Sequence, residues 1–157
     1  MDIESERLLV HLLYNVRIAA LGTIRDEAPR VSMVSFVHAQ DFSAFYVHTS
    51  RLAQHTVDMQ KNKQVSLLIT EADDGRIDPQ TLARLSIRGS AVFMENGEPG
   101  YTPVKTMYIE RFPASEPLFN FADFGLWRIK LKGARFVAGL SKSFNLAPET
   151  LQKIAEK

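Results

Sequence analysis

The chain opens on a helical pattern. Leu8, Leu9, Leu12 and Leu13 recur at helical spacing, so one face of a helix is apolar, and Ser5 stands where an N-cap would. After Asn15 the pattern turns strand-like. "VRIAALGTIR" (16–25) breaks at "DEAP", and "RVSMVSFVHA" (30–39) follows, with Val31, Met33, Ser35 and Val37 alternating against Ser32, Val34 and Phe36. An acidic, proline-containing link between two such runs predicts a hairpin. "SAFYVHT" (43–49) reads as a third strand, Arg51 to about Lys61 as a helix, and "QVSLLIT" (64–70) as a short buried strand.

Residues 71–80 are acidic and turn-rich, which predicts an exposed loop. "LARLSIRGSAVFME" (82–95) alternates again, and Gly89 inside it predicts a bulge or a close backbone approach. "YTPVKTMYIERF" (101–112) is a short helix. "FADFGLWRIKL" (121–131) and "ARFVAGLS" (134–141) read as two last strands joined by Lys132-Gly133, and "LAPETLQKIAEK" (146–157) as a capped turn of helix. Six or seven strands, mostly in hairpin order, with about three helices favour a mainly β (α+β) antiparallel barrel with helices outside it. No repeat or linker divides residues 1–157, so a single domain is expected.

Composition narrows the function classes. A hydrophobic content of 45% and a charged content of 24% are those of an ordinary globular protein, and the net charge of +1 gives no reason to expect nucleic acid or an anionic membrane as partner. The absence of cysteine excludes disulfides, thiolate metal sites and a cysteine nucleophile. "MDIESERLLVHLLYNV" has no basic region before its apolar residues and no apolar run is long enough to span a bilayer, so the expected location is the cytoplasm. His11, His38, His48 and His55 lack zinc-type spacing, and no metal site is expected.

Several clusters could carry chemistry. Thr49 and Ser50 precede the second helix, with Arg51, Gln54 and His55 in its first turns. Their hydroxyls either cap the helix or join its amide groups in holding a phosphate. Arg30 begins a strand just after a turn, where a planar guanidinium reaches an anion or simply lies in solvent. Arg84 and Arg88 point to one face of their strand, towards a partner subunit, towards a ligand, or as charges that discourage edge pairing. The region from Phe112 to Phe144 is the most aromatic, as a core, a dimer interface or a platform for a planar cofactor would be. Asp123 stands among those aromatics, and Lys142 follows the last strand.

The ordered series "AALGTI", "APRVSMVSF", "HTSRLAQHTVDMQKNKQVSLLI", "LARLSIRGSA", "RFP", "FADFGLWRI" and "RFVAGLSKSFNL" resembles the pyridoxamine 5'-phosphate oxidase-related FMN-binding split barrels, over about residues 8–151. Within that superfamily it is most similar to the heme-utilisation branch. The resemblance implies a homodimer of six-stranded antiparallel split β-barrels with flanking helices and cofactor sites at the interface. By position it implies that Arg30, Val31, Ser32 and Met33 line the isoalloxazine of FMN, and that His48, Thr49 and Ser50 lie at the end of the next strand. Gln54 and His55 fall where the oxidases keep an arginine-lysine pair for the phosphate, and neutral partners bind such a group less strongly than charged ones. Arg84 matches a residue contributed across the dimer, and Lys142 a basic residue near the C-terminal end of the site. In the heme branch Asp123 and Arg84 match pocket residues, whereas that branch's C-terminal histidine ligand is absent here, the final histidine being His55. Three functions follow from the resemblance. The first is an FMN-dependent oxidoreductase acting on a small molecule, with the protein supplying binding and orientation and no assignable catalytic acid or base. The second is a heme-binding protein, and the third is a barrel without cofactor that serves as an interaction module.

Overall fold

In a computed structural model that describes residues 1–156, the strands form a single antiparallel sheet that curls into a split barrel. The elements are α1 (Ile3–Asn15), β1 (Ile18–Arg25), β2 (Ala28–Ser35), β3 (Val37–His38), β4 (Ala44–Ser50), α2 (Gln54–Lys61), β5 (Gln64–Thr70), β6 (Arg84–Phe93), α3 (Tyr101–Arg111), β7 (Phe124–Val137), β8 (Ser143–Leu146) and α4 (Pro148–Ala155). Short 3-10 turns occupy Pro79–Thr81 and Pro113–Asn120. The strand order is β2-β1-β5-β6-β7-β4-β3, with β8 paired to β7. β1, β2 and β4 to β7 are the six strands of the expected barrel, and β3 and β8 are short additions of two and four residues.

Alternation builds the interior. Leu21, Phe36, Phe45, Leu67, Ile69, Leu85, Ile87 and Ile129 are at most 1% exposed and pack with Leu9, Leu12 and Leu13 of α1. At about 25 cal/mol per Å² of apolar surface removed from water, such burial dominates the stabilisation. α1 begins earlier than its sequence pattern indicates. Asp2 is its N-cap and accepts from the Ser5 amide at 2.8 Å, while Ser5 itself is buried.

The last strands differ from expectation. Lys132-Gly133 does not turn the chain; both residues lie inside the 14-residue β7. The pair marks a bulge instead: Arg88 pairs with Gly133 and Gly89 with Leu131, so Lys132 is the extra, unpaired residue on β7. A side chain at Gly89 would meet Ile129 Cγ2 at 2.5 Å and the Lys130 carbonyl oxygen at 2.9 Å, so Gly89 is a close backbone approach beside the bulge on the opposite strand. Gly89→Val is therefore expected to lower the unfolding free energy by about 1–3 kcal/mol in urea titration, and unchanged stability would contradict this packing.

Candidate functional site

The inward-facing residues of β1 run Ala19, Leu21, Thr23, Arg25, passing from apolar to polar along the strand. The β1–β2 register pairs Thr23 with Arg30, so a second arginine lies at the same end. α2 is tied to that end by side chains. Asp58, 2% exposed, accepts from Thr23 Oγ1 at 2.9 Å and from Arg25 Nε at 2.6 Å. Arg25 also donates from Nη1 to Gln54 Oε1 at 3.3 Å and from Nη2 to the Gln54 carbonyl at 3.0 Å.

Burial by itself would push the Asp58 carboxyl up, but the Thr23 and Arg25 hydrogen bonds and the charges of Arg25 and Arg30 outweigh it and hold the group below its ordinary value. His55 is pushed down by burial, against the opposing pull of Asp58, so it is neutral at pH 7.

The two hydroxyls expected at the helix start are already engaged. Thr56 Oγ1 donates to Thr49 Oγ1 at 2.9 Å, both residues being buried. Ser50 Oγ donates to Asp123 Oδ2 at 3.1 Å and accepts from the Leu52 amide at 3.1 Å, while the Asp123 carbonyl accepts from the Arg51 amide. These bonds hold residues 50–53 as a turn, and α2 starts at Gln54 rather than Arg51, with Ala53 as an N-cap that offers no side-chain bond.

His48 points the other way. Its ring stacks on Phe119 at 3.8 Å with planes 5° apart and meets the edge of Tyr108 at 5.7 Å. This second cluster, with Val37, Met94, Val104 and Leu126, lies under α3 and the Pro113–Asn120 turn. Arg84 donates to the Gln80 and Leu82 carbonyls at 3.1 and 3.0 Å. It pairs with Thr70, and because Leu68 pairs with Ala20, Arg84 belongs to the Ile18 end of the barrel wall. At about 3.3 Å per residue, that end is roughly 20 Å from Arg25 along β1. Lys142 lies 3.8 and 3.7 Å from the Asp2 and Glu4 carboxylates. One chain thus brings Arg30, Thr49, Gln54 and His55 to one end and leaves His48, Arg84 and Lys142 elsewhere.

The outer face of β2-β1-β5 is apolar although exposed. Val31 is 76% exposed and Met33 67%, and Ile18 and Leu68 are also exposed. Met33, Ala20 and Leu68 form one lateral row. They line a groove of about 940 Å³ that also includes Ser32, whose buried hydroxyl has no partner among the described residues. An adjoining groove of about 560 Å³ shares Val31 and is lined by Thr23, Arg30, Ser66, Arg88 and Lys132. Arg30 and Val31 are consecutive, so the apolar face and the cationic barrel end meet on β2. The arrangement can receive a flat apolar ring that carries anionic arms.

Arg25 and Asp58 are the residues sequence reading missed. Arg25 beside Asp26 and Glu27 looks like a turn charge, and Asp58 looks like a solvated helix position. Their signal was the placement of Asp58 between Thr56 and Met59 on the face of α2 that packs inward. Among the described residues, no group of three His, Asp or Glu side chains could hold a free metal ion, and no helix is long and apolar enough to cross a membrane.

The family described as pyridoxamine 5'-phosphate oxidase matches residues 7–138. A chloroplastic heme oxygenase of Arabidopsis thaliana, HOZ, is 33% identical over 116 residues, covering 74% of this chain and 34% of that protein. Heme oxygenase HutZ of Vibrio cholerae is 26% identical over 124 residues, covering 78% and 69%. The chain thus spans about a third of the first relative's length. A heme binding protein from Mycobacterium smegmatis superposes with a TM-score of 0.83 at 19% identity, over 98% of this chain and 61% of that one, a likeness of fold alone.

His48 allows a pH test of this placement. Burial first, and then the nearby Lys105 charge, lowers its pKa to about 4. The unfolded imidazole protonates near pH 6.5, so between these values the unfolded state binds more protons and stability falls as pH drops. His48→Phe keeps the stack and removes the proton site. Denaturant unfolding at several pH values is expected to show a shallower loss between pH 6.5 and 4 in the variant. An unchanged slope would place His48 outside the aromatic cluster.

Proposed function

Because the chain belongs to the pyridoxamine 5'-phosphate oxidase family, we propose that it binds heme, as a heme-utilisation protein, in the groove where the apolar outer face of β2-β1-β5 meets the cationic barrel end. The observation that carries the reading is the continuity of those two surfaces through Arg30 and Val31, together with the 33% identity to a heme oxygenase. Heme combines a wide apolar ring with two carboxylate arms, and the site offers a surface of each kind. Val31, Met33 and Leu68 take the ring and exclude water from it, and Arg30 takes a carboxylate.

When bound, heme supplies a redox-active iron. The chain contributes binding, orientation and a dry face. Of its four histidines, His55 is the one beside the cationic residues, since His11 lies on α1 with Nδ1 3.1 Å from Asn15 Nδ2, His48 is stacked on Phe119, and His38 Nδ1 lies 3.0 Å from the Ala39 carbonyl oxygen. The face that holds the ring is completed by a second copy of the chain. Val31 and Met33 are too exposed for a lone subunit to leave next to a groove without cost, and covering them with the same face of another copy makes a two-fold interface. The cofactor then lies between two subunits.

FMN is the second reading. It is favoured by the Thr49-to-His55 turn, the neighbouring Arg30 and the family match, and it makes the protein an oxidoreductase of a small-molecule substrate. The Val31→Asp, Met33→Asp double variant is expected to sediment as a monomer where the parent protein is a dimer, and to bind hemin at least tenfold more weakly. Absorbance titration with hemin should give a sharp Soret band that survives desalting. Quenching of FMN fluorescence without such a band would favour the second reading, and no response to either ligand would overturn both.

A further inference from the structure

The start of α2 carries no permanent charge of its own, since Gln54 is neutral and His55 is held neutral by burial. A cation nevertheless reaches it from β1. Arg25 is anchored by Asp58 through Nε and lies against Gln54 through both Nη atoms, on its side-chain and main-chain oxygens. A guanidinium has five N–H donors. Three are used in these bonds, which leaves two without a partner among the described residues in a side chain that is 23% exposed.

The arrangement is asymmetric. The carboxylate behind Arg25 is 2% exposed, whereas the Arg25 side chain is 23% exposed, with Arg30 as a second cation near the carboxylate. Two arginines against one buried carboxylate leave one net positive charge at pH 7. A buried carboxylate is a poor source of stability, because removing it from water offsets much of the attraction to its partner. Its clearer effect is to stop the flexible arginine from moving and to present the planar fork in one orientation, as recognition of an oxyanion requires.

We infer that Arg25, clamped by Asp58, is the permanent cation of the site and receives the oxyanion of the ligand, a phosphate or a carboxylate, at the first turn of α2. The inference rests on the cofactor reading for the ligand's identity, but not for the existence of the oxyanion seat. Asp58 acts through Arg25 and is a positioning residue.

Inorganic phosphate is the direct probe. Titrated into the wild-type protein and followed by NMR, it is expected to shift the Arg25 Nε–Hε and His55 ring signals saturably, and less so as salt rises. Arg25→Gln removes the cation from the buried Asp58 carboxylate and so lowers the melting temperature; titrated below that transition it should abolish the His55 shift, and Arg25→Lys should restore part of it. Should Arg25→Gln fail to fold, the wild-type titration decides alone. A phosphate titration that leaves the Arg25 signal unmoved overturns the inference, as does Arg25→Gln binding phosphate like the parent. Parallel titrations with FMN and hemin separate the sources, the affected one weakening at least tenfold in Arg25→Gln. If phosphate shifts Arg25 but neither cofactor binds, the cofactor reading fails and the seat stands. If a cofactor binds equally well to Arg25→Gln, the seat fails and the reading stands.

Discussion

Asp58 is 2% exposed, and a carboxylate so placed stays ionised only because Thr23 and Arg25 fill its acceptor positions. These two bonds join α2 to the first strand of the barrel. Through Arg25 they also reach both oxygens of Gln54, so helix, strand and side chain are held by one set of charged contacts. The apolar packing of α2 through Met59 is non-directional and sets no single orientation for the helix. The directional bonds do. The position of α2 against the barrel end rests on this carboxylate, seconded by the buried Thr56–Thr49 hydroxyl bond to β4.

The remaining features arrange themselves around that clamp. The same two strands that supply the polar barrel end present Val31, Met33 and Ile18 on their other face. Strand alternation makes both surfaces from one sequence, with inward positions changing from apolar to charged towards the β1–β2 turn and outward positions remaining apolar. Under the proposed reading, a ligand that joins a flat ring to anionic arms, and a second copy that covers the ring, would satisfy the two surfaces together.

Much of the fold was legible. The change of period after Asn15, the acidic turn between β1 and β2, and Gly89 as a close backbone approach all rest on local rules that the structure obeys. The reading of Lys132-Gly133 as a turn was wrong because a Lys-Gly pair carries no information about the strand beside it. Lys132 is instead the extra residue of a bulge within β7, which continues for 14 residues. The strand β8 was missed because "SFNL" is too short to show alternation. In the candidate site, the nearness of Arg30, Gln54 and His55 to one barrel end was legible from their positions near a turn and a helix start. Alternation on β4 sends Thr49 inward and His48 out to Phe119, a difference of one residue that the pair "HT" does not reveal. Arg25 and Asp58 were hidden because their pairing is long-range, 33 residues apart, and each looks like a solvated charge where it stands.

A separate groove of about 860 Å³ lies between α1 and α4, lined by Ile3, Val10, Tyr14 and Ile154 among others. It offers apolar surface without the arginine clamp, which makes it the natural alternative location for a bound cofactor. Amide hydrogen exchange with and without saturating hemin, repeated with FMN, distinguishes the two most directly. The account predicts slowed exchange in residues 22–33 and 53–58, with α1 and α4 unchanged. Protection confined to residues 3–15 and 148–155 would contradict it.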